Sequence, residues 1–199
     1  MTQVPRVQVI MRRASVTMLL ILAADTGPGA FAFTQKAVNP QAAAMSEFQQ
    51  RLDEYLKLRE EFSRRLKPMS TTPSAAELTA RQEALAAAIQ TARKNAKRGD
   101  LVPPATAAQI ARACVDDFHF RNPQVKRAAL QEVPNAPSPA INRTYPENEA
   151  LATVPPLLLS KLPQLPDNLQ YRFFGRHIVI LDGDTQIIID YVANVLPPH

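Results

Sequence analysis

Prolines 134, 137, 139, 146, 155, 156, 163 and 166 divide this chain into unlike parts. A proline removes a backbone donor and fixes its own φ, so a stretch this rich in them forms neither a long helix nor a central strand. The segment 134–168 is therefore expected to be an extended arm, with at most one helical turn at Leu157–Leu162. Leu151, Val154, Leu157, Leu158, Leu159, Leu162 and Leu165 are too apolar for a solvated spacer, so its second half should lie against the domain or a partner.

Before the arm, in 33–133, apolar residues recur at helical spacing. Phe48, Leu52, Tyr55, Leu56, Phe62 and Leu66 predict a helix over Ala42–Lys67, ended by Pro68. Ser74 and Glu77 form a capping-box pattern that opens a second helix with the stripe Leu78, Leu85, Ile89 and Ala92, running through Arg93, Lys94, Lys97 and Arg98 to Gly99. Pro103-Pro104 starts a third helix carrying Ile110, Cys114, Val115 and Phe118. Asn122-Pro123 starts a fourth with Val125, Leu130 and Val133. Alanine favours these helices but buries little surface, so the helical layer is thinly cored by itself.

After the arm, in 169–199, the composition turns to aromatic and β-branched residues. Leu169–Phe174, His177–Leu181 and Gln186–Val192 predict three antiparallel strands in a meander, divided by Gly175-Arg176 and by Asp182–Thr185. Asp182-Gly183 is a hairpin signal. Continuous runs such as Ile178–Leu181 and Ile187–Ile189 call for cover on both sheet faces. The predicted class is α+β: about four alanine-rich helices forming a layer, with Leu78, Leu85, Ile89, Ile110 and Phe118 facing Ile178, Ile180, Ile187 and Ile189, the two halves depending on each other for a core.

Residues 1–32 read as a secretory signal peptide. Arg6, Arg12 and Arg13 form a basic head, Val16–Ala24 an apolar run too short to span a bilayer, and Ala30-Phe31-Ala32 supplies small residues at the cleavage site. The expected location is exported, periplasmic or secreted, with no permanent membrane span after cleavage. The tag carries three arginines and one aspartate, so 23 basic and 18 acidic residues fall to 20 and 17, and the net charge from +5 to +3. That balance, without a clustered basic and aromatic face, argues against nucleic acid. Cys114 is the only cysteine, so no intrachain disulfide can form.

The order Leu162-Pro163-x-Leu165-Pro166, Tyr171-Arg172, Gly175, an aliphatic strand to Asp182, then Ile187-Ile188-x-Asp190-Tyr191-Val192 resembles the C-terminal module of the periplasmic nickel and cobalt homeostasis protein family. Thr185-Gln186 stands where that module has Thr-Gly. More broadly, the chain resembles exported bacterial proteins of unassigned function that join an alanine-rich helical half to this ending. The module implies a periplasmic metal-homeostasis role as an alternative function.

The residues themselves offer little for metal or catalysis. Asp116 and His119, one helical turn apart, are the metal-ligand candidates, and Asp182-Gly183-Asp184 lacks the further oxygen ligands of a calcium loop. No nucleophile elbow, phosphate loop, dinucleotide fingerprint or zinc-protease motif is present, so no catalytic residue and no cofactor is assigned. Asn142-Arg143-Thr144, formally a glycosylation triplet, reads as loop. The leading expectation is a non-enzymatic interaction or structural protein of the cell envelope. It would engage a protein partner, or itself, through a free β edge, with Tyr171, Arg172, Phe174 and Arg176 as contacts.

Overall fold

Helices first and an antiparallel sheet last is the order the chain adopts in the computed structural model. It describes residues 39–132, 138–146 and 152–197, with side chains throughout except at 128–132. The expected signal peptide with Ala30 and Ala32, like Val133, Leu151 and His199, lies outside the described residues. Those described belong to one compact unit, Ala37–His199.

Helix α1 (Pro40–Arg65) begins where the Asn39 side chain accepts the Gln41 amide, and it buries Ala44, Phe48, Leu52 and Tyr55 along one face. Helix α2 (Ala75–Ala92) opens on Ser74, whose hydroxyl accepts the Glu77 amide. The box is half formed, because the Glu77 carboxylate reaches back to the amide and hydroxyl of Ser70. This helix ends at Ala92, earlier than the basic run to Gly99 suggested, and residues 93–102 form a loop that meets the sheet. Helix α3 (Pro104–Phe120) buries Thr106, Ile110 and Cys114, and helix α4 (Pro123–Glu132) starts where Asn122 accepts the Gln124 amide.

The sheet has four strands, not three. Strand β1 (Ala152–Thr153) comes from the arm and pairs with Phe173 and Arg172 of β2 (Leu169–Phe174). The order continues antiparallel through β3 (His177–Asp182) to β4 (Ile188–Val192). The arm can supply only a short strand, because Pro155 and Pro156 end it and lead into the single turn α5 (Pro156–Leu159). The arm also meets the opposite edge, where Asn142, Arg143 and Tyr145 exchange main-chain hydrogen bonds with Gln186 and Ile188. The meander's edges are thus partly occupied by the chain itself.

Glycine at 175, with φ of 54°, makes the two-residue turn between Phe174 and His177, while the Asp182 to Ile187 connection is longer than the Asp-Gly signal implied. The Asp182 amide donates to Ile187, closing a four-residue loop. In β4, Ile189 is an extra residue between pairs Ile180 with Asp190 and Leu181 with Ile188. This bulge turns both Ile189 and Asp190 toward the helices.

One core cluster joins helices to sheet: Phe48, Leu52, Leu85, Ile89 and Ile110 pack with Tyr171, Phe173, Ile178, Ile180, Ile187 and Ile189, and Phe118 borders it. Leu78, expected among them, is 42% exposed in the first turn of α2. The other sheet face buries Phe174, Val179, Leu181 and Ile188 together with Tyr145 of the arm.

Candidate functional site

Two buried carboxylates tie the helices to the sheet, and the sequence pattern marked neither as a buried anchor: Asp182 read as a turn residue and Asp190 only as part of the strand's resemblance. Asp190 accepts hydrogen bonds from the amides of Gly99, Leu101 and Val102 at 2.9 to 3.1 Å, and from Tyr191 at 2.8 Å. Gly99, at φ of 89°, provides the left-handed bend that turns this loop's amides inward. Asp182 accepts the Tyr55 hydroxyl at 2.6 Å and the Arg59 Nε at 2.9 Å, while its other oxygen receives the amides of Asp184 and Thr185. Burial and the neighbouring Asp182 charge push the Tyr55 hydroxyl far up, so it stays protonated and donates. The Arg93 guanidinium lies 5.3 Å from the Tyr55 ring and donates to the Ile189 carbonyl. A carboxylate inside an otherwise continuous apolar run, as in Ile187–Val192, was the available signal, since a buried charge requires partners.

Two of the four expected contact residues lie in the core. Tyr171 is buried with its hydroxyl donating to Pro163, and Phe174 is buried edge-to-face against Tyr145. Both rings serve mainly as packing, because strands covered on both faces turn their aromatics inward. Arg172 and Arg176 keep partial exposure. Arg172 donates to the Tyr171 carbonyl, and Arg176 through Nε to Leu196.

Asp116 and His119 are both exposed, and the backbone of His119 accepts from Lys126 at 2.8 Å. Asp117 pairs instead with Arg121. Among the described residues no group of three or more His, Cys, Asp or Glu side chains comes together that could hold a metal ion. Cys114 is buried, and burial with the nearby Asp117 charge pushes its thiol up to about 12, so it is a packing residue without thiolate character. The Asn142 side chain is engaged too, donating to the carbonyls of Gln90 and Arg93.

A cleft of about 550 Å3 opens between the arm and β2, walled by Val154, Leu159, Leu162, Leu165, Tyr171 and Arg172. It runs beside the part of the β2 edge that β1 leaves uncovered, since β1 reaches only Arg172 and Phe173 and no described strand lies outside Gln170 and Tyr171. A second groove of about 390 Å3 lies between the ends of α3 and α4 and the last residues, lined by Val115, Phe118, His119, Lys126, Arg176 and 194–197. No described helix is long and apolar enough to cross a membrane. No family model, no curated protein and no solved structure matches this chain.

Proposed function

We propose that this chain is an exported, non-enzymatic interaction protein of the cell envelope that receives an extended apolar segment of a partner protein in the cleft between the arm and β2. The observation that carries this reading is the coincidence of that cleft with the uncovered β2 edge at Gln170 and Tyr171. A strand added there continues the line of β1, with main-chain hydrogen bonds supplying affinity and the Leu and Pro walls selecting alternate side chains. Arg172 covers the Tyr171 carbonyl in the free protein, a common way of protecting an edge from unspecific pairing. The leader-like residues 1–32 support export.

A photo-crosslinking residue at Gln170, in protein expressed with its leader, should form adducts with an envelope protein. The same residue at exposed Glu83 on α2 should form none. Equal adducts at both positions, or adducts only between copies of this chain, would refute the partner-segment reading. The metal-homeostasis alternative rests on the resemblance of Leu162–Val192, and equilibrium dialysis with nickel and cobalt tests it directly.

A further inference from the structure

The corner where α3 gives way to α4 has a composition that neither the fold nor the cleft accounts for. Phe120 is 82% exposed, Val115 53% and Val125 50%. Lone exposed apolar residues are ordinary on protein surfaces, but Phe120 at the end of α3, almost wholly in water, is followed within five residues by exposed Val125 in the first turn of α4, while Val115 stands further back on α3. Cations surround them. Lys126 and Arg127 follow Val125, and Arg176 from the β2–β3 turn reaches the adjoining groove. None of these three pairs with a carboxylate among the described residues. Lys126 spends one N–H on the His119 carbonyl and Arg176 its Nε on Leu196, which leaves the remaining N–H groups available to an external anion. Of the two acids on Pro104–Arg127, Asp117 is engaged by Arg121, so within that span Asp116 is the one carboxylate left to oppose them.

We propose that this corner docks the protein on an anionic lipid bilayer, Phe120 and Val125 entering the interface while Lys126, Arg127 and Arg176 meet phosphate headgroups. Charge complementarity selects the occupant: an unpaired cationic rim around projecting apolar side chains is what an acyl boundary beneath anionic headgroups satisfies at once. A bilayer fits better than an acidic protein, because Phe120 projects beyond the walls of the groove and a protein partner would need a pocket to receive it. Docking is peripheral, since no described helix spans a membrane. It goes beyond the partner cleft and does not depend on it, as the two surfaces share no lining residue.

The test is co-sedimentation of the full chain with vesicles of phosphatidylcholine alone and of equal parts phosphatidylcholine and phosphatidylglycerol. Binding should require phosphatidylglycerol and decline with salt. Removing each cation, as in Lys126→Gln and Arg176→Gln, should weaken it about fivefold. Phe120→Ser should weaken it about tenfold or more while leaving the melting temperature unchanged, because the ring contributes little to the core. Comparing variants of one chain cancels any contribution from residues 1–32. A Lys57→Gln change on α1 that weakens binding as much would show diffuse charge at work and overturn the corner. Absent or composition-independent vesicle binding would also overturn it, and so would retention on immobilised polyglutamate without any binding to vesicles, which points to an acidic protein instead.

Discussion

Asp182, at the turn end of β3, and Asp190, in the middle of β4 opposite Ile180, are both fully buried and both join sheet to helices, yet they are satisfied in different ways. Asp190 is held by main-chain amides of one loop, which have no other acceptor once the loop is packed. Asp182 is held by long side chains of α1 together with the amides of its own turn, and Arg59 keeps a second partner in exposed Asp184. The first arrangement shapes a loop that has no regular structure of its own. The second clamps a helix that would form in any case. Backbone capture should therefore be the more brittle of the two anchors.

The largest effect follows from removing that capture. Asp190→Ala strands the amides of Gly99, Leu101 and Val102, each costing about 1 to 3 kcal/mol when buried without an acceptor, so a loss of at least about 3 kcal/mol is expected. Chemical denaturation measures it, and Asp190→Asn should recover part of it through its amide oxygen. Asp182→Ala should cost less, about 2 to 3 kcal/mol, because Arg59 retains Asp184 and only the two turn amides of Asp184 and Thr185 lose their acceptor. If the order is reversed, backbone capture is not the stronger anchor. Tyr55→Phe should cost about 1 kcal/mol, and a double-mutant cycle sharpens the contrast: Tyr55 should couple to Asp182 and be additive with Asp190.

Acid separates the two anchors as well. His177 accepts the Asn194 amide through Nδ1 and stacks edge-on against Tyr191, the neighbour of Asp190. Burial, then the charges of Arg176 and Arg98, hold its pKa below the usual 6.5. Below that value the unfolded chain binds the proton more readily than the folded one. The contribution of neutral His177 is thus complete above pH 6.5 and is lost as pH falls toward the lowered folded value. The protection of the Asn194 amide against hydrogen exchange, taken relative to its intrinsic rate at each pH, should fall on acidification, with that of Thr185 beside Asp182 following only when the whole domain unfolds. His177→Gln should flatten that dependence.

Local signals carried the helices well and the anchors poorly. Ser74, Asn122 and Pro104 announce helix starts by chemistry confined to a few neighbouring residues, and helices begin beside each of them. Leu78 fits the apolar stripe of α2 yet points to water, because on an alanine-rich helix the buried face is chosen by what packs against it, here at Leu85 and Ile89. Strand β1 has two residues, too few for any period, and its pairing follows from an edge distant in sequence. Asp190 meets amides about 90 positions earlier, at separations of 88 to 91, and no local pattern encodes such a contact. The aromatic content of β2 was legible, but whether Tyr171 and Phe174 face a core or a partner depended on the arm folding back over the sheet.

The smallest expected effect tests the turn that carries Asp182. Gln186 has a φ of 55°, a left-handed conformation that costs a residue with a Cβ about 1 kcal/mol relative to glycine. Gln186→Gly relieves that strain but gives up the side-chain bond to the Gly183 carbonyl and frees the unfolded chain, an entropic loss of about 0.5 to 1 kcal/mol. The opposing contributions are of similar size, so stability should move by no more than about 0.5 kcal/mol. Gln186→Val, with a β-branched side chain in the same conformation, should destabilise by about 1 kcal/mol or more. Equal stability of the Gly and Val variants in a denaturant titration would mean that this turn is not held in the left-handed region, and that the Asp182 end is softer than its hydrogen bonds imply.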